Sequence, residues 1–219
     1  MLNMGFMTIA VLLSALGLGA GAAAGWISFR LPGKVPPARP RRYVWLPLLG
    51  ALIGFFSAWW CQWRLFDDGT AIFTALLGWQ LMLIALIDAE NFWLPDVVTV
   101  PLALTGLLAN VILPQPPAIG WMLSVLSALA AFGGLWLLAG LYQLLRKRRG
   151  MGTGDPILLG AGAAWVGLAD VPAVLLWASL SALLVLAVQR MRQREVRMDS
   201  RLPFGTFLAL GIFVCWLPL

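Results

Sequence analysis

The sequence contains no histidine, two cysteines and nine acidic residues in 219 positions. Each shortage removes a class of chemistry. Without histidine there is no Ser–His or Cys–His pair of the usual kind to activate a nucleophile. Cys61 and Cys215 lie far apart in apolar stretches, so the ordinary donors of a zinc site are missing too. Both cysteines fall near what reads as the outer face, where two unpaired thiols are the expected reading and a disulfide is the alternative. No GxxxxGK[ST] segment is present to cradle a phosphate. Charge is scarce as well. Only 11% of the residues are Asp, Glu, Lys or Arg, while 61% are hydrophobic, which excludes a soluble globular domain.

What is present is a succession of apolar stretches, most of them ~17–25 residues long, the length that crosses a bilayer. Read in order, the spans cover 4–27, 45–63, 71–87, 97–113, 119–145, 157–168, 173–188 and 203–217. Nothing of useful size is left over for a water-soluble part. Positions 1–219 therefore read as one all-α integral membrane domain of about eight transmembrane helices. The first apolar stretch lacks a basic flank and is followed by more spans, so it reads as a retained helix, not a signal peptide. Its glycines Gly17, Gly19, Gly21 and Gly25 would let another helix approach closely. The twelve tryptophans read mainly as interfacial anchors.

Lys and Arg set the orientation. Fourteen of the fifteen fall in the loops 28–44, 146–155 and 189–202, and the exception is Arg64. Basic loops resist translocation, so these three are expected in the cytoplasm. Helix counting puts the loop 89–96 on the same side and both chain ends outside. The net charge of +6 thus reads as topology signals and contacts with anionic lipid, with no nucleic acid implied.

Two acidic motifs fall at that cytoplasmic edge. The first is Ile87-Asp88-Ala89-Glu90-Asn91-Phe92-Trp93-Leu94-Pro95-Asp96, at the end of the third span. The second is Gly150-Met151-Gly152-Thr153-Gly154-Asp155, at the start of the sixth. Two carboxylates held close in a partly desolvated place share a proton, because both cannot easily be ionised. The ionised one can take a proton from water while the protonated one donates to a carbonyl oxygen. That is peptide hydrolysis by acid–base work alone, with Asp88 and Asp155 as the pair. Gly152 and Gly154 supply a backbone that can approach a substrate closely. Asp155 precedes Pro156 and is expected to double as a helix cap. Asp96 is expected to cap the fourth span, with Pro95 setting the turn and a substrate contact as the minor reading. Glu90 is expected to face water.

The two motifs, in this order, resemble the type IV prepilin peptidases, membrane aspartic proteases of the GxGD kind. Leu158-Leu159 after Asp155, Arg30-Leu31-Pro32, Gly162, Trp165-Val166-Gly167 and Pro203-Phe204-Gly205 extend the likeness over most of the chain. The resemblance implies a multi-pass protein of the bacterial inner membrane. It also implies cleavage of leader peptides from type IV prepilins or type II secretion pseudopilins at the cytoplasmic face. It maps the catalytic pair onto Asp88 and Asp155, with Gly152, Gly154, Pro95 and Asp96 in support and no cofactor. Two departures stand out. The family's cytoplasmic insert, with its two CxxC pairs, is replaced by the short basic loop 28–44, which removes a structural zinc site and leaves N-methylation open. Ile157 stands where the family usually has Lys. Two other classes fit the residues less well. A small transporter would use the same aspartates for ions or protons, but should keep carboxylates near mid-membrane. A membrane acyltransferase should show a His/Asp or basic phosphate-binding motif.

Overall fold

The computed structural model describes residues 4–30, 42–64, 67–113, 119–147, 151–192 and 202–217. Among these the regular structure is entirely helical, as expected. In chain order the helices are α1 (Met4–Arg30), α2 (Arg42–Trp63), α3 (Asp68–Asn91), α4 (Asp96–Ile112), α5 (Trp121–Arg146), α6 (Gly154–Val166), α7 (Val171–Met191) and α8 (Phe204–Trp216). Most of the loop 28–44, and Arg194 to Arg201 of the last basic loop, lie outside the described residues. Helices α1, α2, α3, α5 and α7 are long and apolar enough to cross a membrane. The protein is thus a multi-pass membrane protein. With 13 residues each, α6 and α8 rise ~20 Å, short of the ~30 Å of a hydrocarbon core.

The exposed surface is what lipid requires. Val11, Leu138 and Leu184 are each more than 60% exposed, and they belong to outer faces whose apolar area would be intolerable in water. Inside, α6 is the hub and packs against α4, α5 and α8. Apart from Gly154 and Ile157, every residue of α6 is buried. Glycine and alanine at 160–164 make it thin enough for close neighbours. Trp165, fully buried, meets Trp216 edge to face at 5.0 Å and donates its indole N–H to the Leu102 carbonyl at 2.8 Å.

A short buried helix leaves its last carbonyls without partners, and lipid offers none. Neighbouring helices supply them. Asn110 of α4 donates from its side-chain amide to the carbonyl of Ala164 at 2.9 Å and to that of Trp165 at 3.3 Å. Its amide oxygen accepts from the Ile119 N–H at 3.0 Å. The Ser124 hydroxyl of α5 also donates to the Ala164 carbonyl, and Ser127 accepts from the Leu168 N–H. Gly167 then turns the chain at a φ of 85°.

Helices α1 and α2 cross on glycines. A Cβ at Gly17 would come within 2.1 Å of the Gly50 carbonyl oxygen, and one at Gly21 within 2.0 Å of the Leu46 carbonyl oxygen. Gly54 faces the Leu13 backbone in the same way. Two Gly-xxx-Gly pairs, 17/21 and 50/54, therefore oppose each other, the small-residue packing that brings membrane helices together. Gly19 faces open space. Gly17→Ala is expected to lower stability by about 1–3 kcal/mol through overpacking. Gly19→Ala should be neutral within about 0.5 kcal/mol. Thermal unfolding of the two variants in detergent checks the contrast.

Candidate active site

Three helix ends converge at one end of the bundle: the last turn of α3 and the first turns of α6 and α8. Helix α3 is closed by Phe92, a non-glycine residue in the left-handed region (φ 53°), whose N–H donates to the Asp88 carbonyl at 2.9 Å. Such a residue persists only where its surroundings hold it. The chain then runs without regular structure through Trp93-Leu94-Pro95 into α4.

Leu94 is the wedge that joins the motifs. It is buried and touches glycine on two other helices. A Cβ at Gly154 would sit 2.8 Å from the Leu94 Cβ, and a Cβ at Gly205 would sit 2.9 Å from its Cδ1. The same Gly205 Cβ would sit 2.9 Å from Asp88 Oδ2. Glycine is required at both places for close approach, and the approach puts Asp88, Leu94, Gly154 and Gly205 in one cluster.

Both aspartates are only 5% exposed. Asp88 Oδ2 accepts from the backbone N–H of Thr206 at 2.7 Å and lies 3.3 Å from the Thr206 hydroxyl. The Gly205 N–H also donates to this carboxylate. Asp155 Oδ2 accepts from the Gly152 N–H at 3.1 Å. Asp155 lies in the first turn of α6, outside the helices long enough to span. Burial pushes its carboxyl up, to about 6, with the Asp88 charge adding to the rise and the Gly152 N–H opposing it. The two carboxyls are therefore electrostatic neighbours. Among the described residues, no group of three or more Cys, Asp or Glu could hold a metal ion.

The remaining expected site residues fall as follows. Gly152 donates to Asp155, and Gly154 gives room to Leu94. Pro95 is buried and occupies the cap position of α4 with extended backbone (φ −78°, ψ 137°). Asp96, expected to cap α4, is instead its exposed first residue, and no side chain caps the helix. Pro95 has taken the flanking position, so Asp96 is already helical. Asp155 is likewise not the cap of α6. Thr153 holds that place, and Asp155, two residues later, turns back onto Gly152. Glu90, expected in water, is half-buried. Cys61 and Cys215 are free thiols. Leu94 belongs to the first motif but has no role assigned from sequence, and Thr206 lies outside both motifs. The one signal for Thr206 is that it follows Pro203-Phe204-Gly205.

An apolar groove of about 660 Å³ leads away from this cluster between α2, α3, α7 and α8. Leu46, Leu49, Met82, Leu184 and Phe213 are among its walls, and Thr206 lines it too.

Comparison with known proteins decides the family. The model of the Type IV leader peptidase family matches residues 75–187, which include both aspartates. The chain belongs to this family. Curated relatives include a "Prepilin leader peptidase/N-methyltransferase" of Neisseria gonorrhoeae, 34% identical over 68% of this chain and 50% of the relative. One of the same name from Pseudomonas aeruginosa is 34% identical over 81% of this chain and 58% of the relative. A third, from Burkholderia pseudomallei (strain K96243), is 36% identical over 66% of this chain and 45% of the relative. The chain thus spans about half the length of these relatives. No solved structure matches.

The raised carboxyl of this leader-peptidase family member has a cost in stability. An Asp that titrates near 4 when unfolded and at about 6 when folded binds more protons in the folded state between those values. Stability therefore falls as pH rises through that window and is flat above it. Asp155→Asn, which cannot ionise, is expected to be more stable than the unaltered protein by about 2–3 kcal/mol at pH ~7, with little difference at pH ~4. Unfolding midpoints of both proteins at the two pH values check this.

Proposed function

We propose that this protein is a membrane aspartic endopeptidase that removes leader peptides from type IV prepilin or type II secretion pseudopilin precursors. The single observation that carries the reading is the buried aspartate pair, Asp88 and Asp155, drawn from two motifs onto adjoining helix ends. Family membership and the names of the relatives support the substrate class. The basic loops support an orientation with this end of the bundle at the cytoplasmic face, and the family resemblance supports a bacterial inner membrane. The five helices long enough to span are compatible with that placement.

The chemistry follows from one shared proton. The ionised carboxylate removes a proton from water as the water oxygen bonds to the scissile carbonyl carbon. The protonated carboxyl gives its proton to the carbonyl oxygen, so negative charge does not build up there. The carboxyl that gained a proton then delivers it to the amide nitrogen. As the C–N bond breaks, one hydroxyl of the tetrahedral carbon re-forms the carbonyl and returns its proton to the other carboxylate, leaving an acid, an amine and the pair with its one proton. The groove lined by Thr206 gives an apolar substrate helix a route to the pair from the lipid side. That helix must unwind at the pair, since helical hydrogen bonding covers its carbonyls. A proton- or ion-relaying transporter is less well supported. Among the described residues, the other carboxylates near this end, Glu90 and Asp96, lie at helix ends and not along a path through the bundle.

Asp88→Asn and Asp155→Asn are each expected to lower cleavage of a synthetic prepilin-like peptide by at least about a hundredfold, since both halves of the acid–base cycle are needed. Asp96→Asn should retain most activity, because Asp96 is exposed and caps nothing. Product masses after incubation with each inserted, folded variant provide the readout. Near-normal cutting by either of the first two removes the pair from the mechanism.

A further inference from the structure

The two aspartates are held unequally. The Asp88 carboxylate receives the N–H groups of Gly205 and Thr206 at the start of α8, that of Thr206 on Oδ2 at 2.7 Å, and has the Thr206 hydroxyl 3.3 Å from Oδ2. Among the described residues, Asp155 Oδ2 receives a single N–H, from Gly152. Backbone donors cannot turn away, and each favours a carboxylate that carries charge. The Thr206 hydroxyl has one proton and two acceptors in reach, Asp88 Oδ2 at 3.3 Å and the Ala85 carbonyl at 3.1 Å. It can donate to the carboxylate when Asp88 is ionised. Once Asp88 has taken a proton, it can swing that donation to Ala85. The hydroxyl therefore suits both halves of an acid–base cycle.

We infer that Thr206 is the positioning residue that divides the labour of the pair, holding Asp88 as the ionised base and leaving Asp155 to carry the shared proton. Thr206 acts through Asp88 and takes no part in bond making itself. The inference rests on the endopeptidase reading. It adds what that reading leaves open, namely which aspartate does which task. Around Asp88, α6 contributes Asp155, α3 itself contributes Glu90, and α4 begins with the exposed Asp96. The residues of α8 that touch Asp88, Gly205 and Thr206, have no ionisable side chain.

The test compares full-length Thr206→Val and Thr206→Ser with the unaltered protein, each reconstituted in lipid and checked for a normal unfolding midpoint. Valine keeps the shape and the N–H but loses the hydroxyl, whereas serine keeps both donors. Initial rates of peptide cleavage are measured across pH. For Thr206→Val, the acid limb of kcat/KM is expected to move up by about one pH unit, since one donor to the ionised form is gone. KM should change less than about twofold, and Thr206→Ser should restore the limb. An acid limb unmoved in Thr206→Val, or moved equally in Thr206→Ser, overturns the assignment while leaving the endopeptidase reading intact. Failure of Thr206→Val to fold shifts the decision to Thr206→Ser and to Thr206→Cys, which keeps only a weak donor and should show a partial shift; two unmoved limbs overturn the inference. No cleavage by the unaltered protein overturns both.

Discussion

Two carboxylates buried beside each other repel when both are ionised, and the surrounding structure is arranged to bear that repulsion. Asp88 receives donors from the start of α8, and Asp155 lies in the first turn of α6 with a donor from Gly152. Asp155 and the donors to Asp88 thus lie at helix starts, where N–H groups point outward, while Asp88 itself sits in the last turn of α3. Burial then pushes the Asp155 carboxyl up, so a proton remains on the pair near neutral pH more readily than on isolated aspartates. A poised proton of this kind is what acid–base hydrolysis needs.

That arrangement depends on where short helices stop. If α6 continued for a full span, its start could not lie recessed among its neighbours. Its far end is closed by Asn110, Ser124 and Ser127, which take up backbone groups that lipid cannot satisfy. At the near end, Leu94 wedges between Gly154 and Gly205 and fixes how far apart the helix starts lie. The polar lock and the apolar wedge are at opposite ends of α6 and position one carboxylate. The stability lost to burying that carboxylate is a usual feature of sites selected for activity.

Much of this was legible in the sequence, and the limits have physical reasons. Apolar stretches between charge clusters located all eight helices, because backbone groups in lipid leave few alternatives to a helix. Asp88 and Asp155 stood out because acidic residues are rare in such a chain. Of the glycines in α1, Gly17 and Gly21 meet α2 whereas Gly19 faces open space. The facing stripe could not be told from the others, since it is set by Gly50 and Gly54 on the partner helix. The capping roles expected of Asp96 and Asp155 failed by one or two residues, which is the scale on which helix starts vary with local geometry. Thr206 lies 118 positions from Asp88, and no local pattern reports so distant a hydrogen bond. Leu94 reads as one more apolar residue until the two glycines it touches are known.

The central claim is that Asp88 and Asp155 form one electrostatic unit. It is tested most directly by following the Asp155 carboxyl carbon by NMR across pH, in protein labelled at the aspartate carboxyls, with and without Asp88→Asn. In the unaltered protein Asp155 should titrate at about 6. With Asp88→Asn its midpoint should fall, because the neighbouring charge is removed, yet stay above the ordinary value, because burial remains. An Asp155 midpoint unchanged by Asp88→Asn would contradict the account.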